Sequence, residues 1–231
     1  MRQPTVPLTL VILVLVLAAC ASPQRIDPVS NTEADCSVPN FATPANSQPT
    51  SYFPAGLFQP DNVRDGGLVE WYSRSLHEMA EPSFQSIKTT DVESYRFLWL
   101  RSFHPGVAVR VWKGEKRYCL SVKQLDGVDK YFDRKFVPSA KLAINRSRSL
   151  TVAEWNGFIA RLERAHFWSL PAVDNGPMAE DGAEWLLEGA KESQYHVIAR
   201  QSPASGDYYQ ACLLLLQLSE LKVDASKGEL Y

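Results

Sequence analysis

The chain has 231 residues, of which 45% are hydrophobic, 11% aromatic and 22% charged, the balance of an ordinary globular protein with enough apolar side chains for a core. Its 24 basic and 26 acidic side chains give a net charge of −2, a balance that lends no support to nucleic-acid binding, which wants a basic stripe. No apolar run reaches the roughly twenty residues needed to cross a bilayer as a helix, so a bundle of membrane spans is excluded as well.

The first organised stretch is a mainly apolar run from Leu8 to Ala19, preceded by Arg2 and closed by the small residues Ala18 and Ala19. A positive start, a short apolar middle and a small-residue end form the layout of a removable secretory signal. The tetrad Leu17-Ala18-Ala19-Cys20 resembles the lipobox of bacterial lipoproteins. That resemblance implies a diacylglycerated Cys20 thiol, cleavage just before it and further acylation of the new amino terminus. Two or three acyl chains anchor a protein stably where a single one is marginal. Ala21 stands where the family's inner-membrane retention signal would place an aspartate, which implies the outer membrane of a Gram-negative host, facing the periplasm. Cleavage takes Arg2 and 19 residues, leaving 212 residues with 23 basic and 26 acidic side chains, a net of −3.

From Ala21 to Pro60 seven prolines are spaced among Ser, Thr, Asn and Gln, the composition of an extended leash, so residues 20–62 are assigned as a lipidated tether. Tyr52, Phe53, Leu57 and Phe58 within it are expected to pack on the chain's own domain. Leu68, Trp71, Tyr72, Leu76 and Met79 share one face of a helix over 66–80, ended by Pro82, with His77 on the surface. Tyr95–Phe103, Val107–Trp112 and Arg117–Gln124 alternate as strands of an antiparallel meander. Their core face is expected to hold Tyr95, Phe97, Trp99 and Phe103, then Val107, Val109 and Val111, then Tyr118, Leu120 and Val122. Leu98 and Leu100 on the opposite side suggest a first strand covered on both faces. Lys141–Asn145 is a further short strand.

Thr151-Val152-Ala153-Glu154 is a capping box that starts a helix carrying Trp155, Phe158, Ile159, Leu162 and His166 on one stripe. The turn at Asp181-Gly182 leads into a hairpin of Ala183–Gly189 and Tyr195–Arg200. Alternation predicts one apolar face, with Trp185 and Leu187, and one mixed face, with Glu184, Glu188, His196 and Arg200. A last, buried helix over 205–221 carries Tyr209, Cys212, Leu213 and Leu216. The order predicts an α+β fold, an antiparallel sheet of meander plus hairpin with about three helices packed on it, in a single domain over 63–231. Residues 93–111, 150–171 and 181–203 resemble recurring segments of bacterial proteins with no assigned activity, and that resemblance brings no catalytic residue with it.

With Cys20 taken by lipid, Cys36, Cys119 and Cys212 remain in a compartment that permits disulfides. Cys119 lies opposite Tyr118, Leu120 and Val122, whereas Cys212 presses on the core face. The sheet should separate them, so Cys36–Cys119 is the expected pair and Cys212 a buried free thiol.

No CxxC, HExxH, GxSxG, GxxxxGK or calcium-loop pattern is present, so no metal or cofactor is expected. The one grouping with acid–base potential is Glu184, Glu188, His196 and Arg200, with Asp174 and Asp181 in the preceding loop. The same side chains suit a solvated hairpin face. The sequence therefore points first to a lipid-anchored, non-catalytic binding or structural module whose partner is an envelope protein or cell-wall component. The alternative is a periplasmic hydrolase-type enzyme using the hairpin carboxylates and His196.

Overall fold

The structure, a computed structural model, describes residues 36, 52–54, 56–58, 63–86, 93–114, 116–128, 130–132, 135–137, 141–174, 181–223 and 230. All of these belong to the unit Thr32–Tyr231. The signal segment, Cys20 and most of the Pro-rich stretch lie outside the described residues, and no helix among those described is long and apolar enough to cross a membrane.

Three alternating segments build the centre of the sheet: β1 (Glu93–Arg101), β2 (His104–Lys113) and β3 (Tyr118–Leu125). After the small two-stranded pair β4 (Lys130–Phe132) and β5 (Lys135–Val137) come β6 (Leu142–Leu150), β7 (Ala183–Lys191) and β8 (Gln194–Gln201). The main sheet has six strands in the order β6-β3-β2-β1-β7-β8, antiparallel throughout. With α1 (Val63–Glu78), α2 (Val152–Arg164) and α3 (Asp207–Leu218), the fold is α+β.

β1 is central and covered on both faces. Its odd residues Tyr95, Phe97 and Trp99 join Val107, Val109, Val111, Leu120 and Val122 in a core closed by α2 and α3. Leu98 and Leu100 point the other way into a second core with Tyr72 and Leu76 of α1, Met79 just after it, and Tyr52, Phe53 and Phe58. Those three aromatics, and Cys36, come from the stretch assigned as leash. Phe103 departs from expectation and is 65% exposed, because β1 and β2 are joined by the two-residue turn Ser102-Phe103, with Arg101 opposite His104.

The capping box forms as the sequence predicts: Thr151 Oγ1 accepts from the Glu154 amide at 3.1 Å and Glu154 Oε2 accepts from the Thr151 amide at 2.7 Å. Such a cap contributes about 1 kcal/mol. β6 runs well past the expected Lys141–Asn145. Its Arg146 and Arg148 donate to the Ser219 and Leu218 carbonyls at 2.6 and 2.9 Å, closing the negative end of α3 with two cations. α3 buries Tyr208, Ala211, Cys212, Leu215 and Leu216, a stripe one residue away from the expected Tyr209 and Leu213, which are only partly buried.

Candidate functional site

α1 ends with Ala80 in the left-handed region (φ 48°), the Ala80 amide bonded to the His77 carbonyl at 2.9 Å and the Glu81 amide to the Leu76 carbonyl at 2.9 Å. This Schellman-type reversal turns Glu81 down onto the sheet. There Arg96 of β1 stands opposite Arg110 of β2, and Lys123 follows on β3. Glu81 Oε2 lies 2.9 Å from Arg110 Nε and 3.4 Å from Arg96 Nη1, and Oε1 lies 3.0 Å from Lys123 Nζ. Arg96 also bonds Glu188 on β7, whose second oxygen accepts from the Tyr195 hydroxyl at 2.8 Å. Three cations and two carboxylates are thus buried in one row across four neighbouring strands.

Burial alone would raise the Glu81 carboxyl, but Arg110, Lys123 and Arg96 outweigh it and hold it at about 2. Burial raises the Glu188 carboxyl against the pull of Arg96 and Tyr195. The row also fastens the chain around it. Lys123 Nζ donates to the Met79 and Ala80 carbonyls at 2.8 and 2.9 Å, and the Tyr52 hydroxyl donates to the Glu81 carbonyl at 2.8 Å. Beside it Arg110 lies over the Trp112 ring at 4.6 Å, and Trp112 packs with the Cys36–Cys119 disulfide. Cys212 is a free thiol on the opposite side of the sheet, raised by burial and therefore inert.

The grouping singled out from the sequence is divided by the sheet. The β7–β8 turn is Glu192-Ser193, with φ 49° and 67°, and it places Lys191 opposite Gln194. Positive φ at both central residues is the type I′ condition. Every pair then joins an odd to an even number, so Glu184 and Glu188 share a face with Tyr195, Val197 and Ala199, on the side of α1. His196 and Arg200 share the other face with Trp185 and Leu187. The mixed face expected from alternation does not exist.

The four hairpin side chains each have a structural partner instead. Glu184 Oε2 accepts from the Tyr72 hydroxyl at 2.7 Å. His196 Nε2 lies 2.9 Å from the Leu170 carbonyl, to which it donates, and burial followed by the nearby Arg200 charge lowers the imidazole. Arg200 donates to the Pro171 carbonyl at 2.8 Å and lies 3.7 Å from Asp174, while Asp181 is exposed. Together with the Ala199 amide, bonded to the Ala172 carbonyl at 2.7 Å, these contacts cover the free edge of β8. His77 is exposed, as expected for a surface position, whereas His166, expected on the apolar stripe in the last turn of its helix, is exposed and lies beyond the helix end at Arg164.

Among the clefts lined by described residues, two have the volume of a ligand site. The larger, about 540 Å³, lies between α1 and the β1–β2 turn. Glu70, Trp71 and Arg74 line one wall at helical spacing, Arg101 and His104 the other. Gly106 forms the floor, where a Cβ would come within 2.9 Å of Leu100 Cδ2. The smaller, about 440 Å³, lies where α2 and the 3-10 turn Phe167–Ser169 meet β1 and β7. Its walls are Trp168 and Ile159, its floor Tyr95 and Phe167, and its rim carries Glu163, His166, Ser169 and Lys191. Sequence reasoning passed over Trp168; the aromatic pair Phe167-Trp168 immediately after a helix end was the available signal.

Gly189 makes that floor. It lies opposite both Tyr95 and His196, and a Cβ on it would stand 2.8 Å from a ring atom of Phe167 and 2.8 Å from one of Tyr95. Gly189→Ala is therefore expected to cost about 1–3 kcal/mol by overpacking, read as a fall of several degrees in thermal midpoint. An unchanged midpoint would show that the two rings can give way.

Among the described residues no group of three or more His, Cys, Asp or Glu side chains is arranged to hold a metal ion. Comparisons with protein-family models, with curated proteins and with solved structures return no match.

Proposed function

We propose that this chain is a lipid-anchored envelope lipoprotein whose α+β domain serves as a non-catalytic binding module in the periplasm. The observation that supports the non-catalytic half is the division of Glu184 and Glu188 from His196 and Arg200 by the sheet, which separates the imidazole of the hydrolase alternative from its hairpin carboxylates. Every member of that set is engaged in holding the fold. The anchoring half is supported by Leu17-Ala18-Ala19-Cys20 at the end of the apolar run and by the Cys36–Cys119 disulfide, which belongs to an oxidising compartment. The open cleft of about 540 Å³ beside α1 has the size of a small-ligand site.

Intact-mass analysis of the native product, beside a Cys20→Ser variant in a Gram-negative host, tests the anchor. The native chain is expected to begin at residue 20, to carry the mass of its acyl chains and to partition into detergent. Cys20→Ser is expected to lose both the added mass and the membrane fraction. Native protein with an unmodified residue 20, or protein free in the medium, would overturn the reading.

A further inference from the structure

We propose that the cleft beneath Trp168 is a saccharide-binding site, with a sugar ring stacked on the Trp168 indole and its polar groups met by Glu163, His166, Ser169 and Lys191. This rests on the reading that the domain binds rather than catalyses, and adds the ligand class and the place.

The first support is the aromatic plane. Trp168 is 37% exposed, yet it leans on Phe167 with ring centroids 5.0 Å apart and on Tyr95 at 6.2 Å. Its orientation is fixed while one surface stays open. The C–H face of a pyranose ring packs on such a plane, because its weakly positive hydrogens meet the negative face of the indole. Below, the buried Tyr95 and Phe167 rings and partly buried Ile159 give an apolar notch fit for an acetamido methyl.

The second support is the rim. One carboxylate, one ammonium, one imidazole and one hydroxyl offer donors and acceptors without an excess of either sign. That mixture matches an array of neutral hydroxyls and amides, whereas a phosphate or a strongly charged peptide calls for groups of one sign. Lys191 is held in place by Glu93 at 3.3 Å, and the same Glu93 oxygen accepts from the Tyr95 hydroxyl at 3.1 Å.

The third support is rigidity. His166, a non-glycine residue, sits in the left-handed region at φ 49°, and its carbonyl accepts from the Ser169 amide, the Leu170 amide and the Ser169 hydroxyl at 2.9, 3.1 and 3.1 Å. From behind, His196 edges onto Phe167 at 5.2 Å and ties down the Leu170 carbonyl. A strained residue fixed by so many bonds holds the Trp168 turn ready for its ligand. The volume of about 440 Å³ suits one or two sugar rings.

The test is saturation-transfer NMR on the sugar protons, using the full mature chain in detergent, with the tetramer of N-acetylglucosamine and cellotetraose as probes. At least one probe is expected to bind saturably with a Kd of about 1 mM or tighter. Trp168→Ala is expected to weaken it by about tenfold or more, while Trp168→Tyr keeps a stacking plane and most of the affinity. Thermal unfolding of each variant separates lost binding from lost fold, and Lys191→Ala, at the rim, is a second reporter expected to weaken binding. No signal from either probe, or wild-type binding by both Trp168→Ala and Lys191→Ala, would overturn the proposal. The detergent-solubilised chain reports on the site whether or not Cys20 is acylated. Cleavage of a bound probe would overturn the non-catalytic reading and leave the site standing.

Discussion

Glu81→Ala is expected to destabilise the domain more than any other single change considered, by about 3–5 kcal/mol, because it leaves Arg96, Arg110 and Lys123 buried with only Glu188 to balance them. Against a total stability of about 5–15 kcal/mol, this lowers the thermal midpoint by roughly 10 °C or more. The same change also unfastens the segment after α1 from the sheet, since Glu81 is its ionic attachment.

The charge has a signature in pH. The Glu81 carboxyl lies at about 2 in the fold against 4.5 for an ordinary glutamate, so its contribution is complete above pH 4.5 and disappears as pH falls from there through about 2. Glu188 works in the opposite sense: burial raises its carboxyl, so its own contribution grows as the pH falls. The acid limb of the wild-type stability curve is the difference between the two. Urea unfolding of wild type and Glu81→Gln at a series of pH values is therefore expected to show a gap that is widest near neutrality and closes toward pH 2. A gap independent of pH would mean that shape, not charge, makes Glu81 necessary.

Removal of the Cys36–Cys119 disulfide has the second largest expected effect. It closes a loop with a sequence separation of 83, for which chain-entropy loss in the unfolded state corresponds to about 4 kcal/mol. Thermal unfolding of wild type with and without reductant, beside Cys36→Ser/Cys119→Ser, measures it. Reductant is expected to bring wild type down to the double variant and to leave the variant unmoved. Equal midpoints for oxidised and reduced wild type would show that Tyr52, Phe53 and Phe58 already fasten this stretch unaided.

How much was legible follows from what each residue pattern could encode. Alternation in Tyr95–Trp99, Val107–Val111 and Tyr118–Val122 reports the α2–α3 face directly, since one side of each strand is uniformly apolar. The cysteine faces follow from the same parity. The charged row was not legible: Arg96, Arg110 and Lys123 occupy positions that ordinarily face water, and only the return of the chain at Ala80-Glu81 makes them interior. Hairpin parity was missed because Glu192-Ser193 lacks the Asn-Gly signal of a type I′ turn, although its backbone adopts one. β6 was read short because its arginines interrupt the apolar pattern, and their partners are carbonyls at the far end of the chain. As for the cleft beneath Trp168, its lining is drawn from three separate parts of the chain, Tyr95, the stretch Ile159 to Ser169, and Lys191, and Trp168 has meaning there only beside the first and the last.

The crosslink at Cys36 also governs how mechanical load reaches the folded body. With the lipid at Cys20 proposed above, only sixteen peptide steps separate the bilayer surface from Cys36, a contour of at most about 55 Å. A pull on the acyl chains enters at the sulfur of Cys119, in a strand hydrogen-bonded on one side to Trp112 of β2 and on the other to Ser149 of β6. Tension then reaches both ladders of β3, and α1, which follows in sequence, is bypassed by a covalent shortcut.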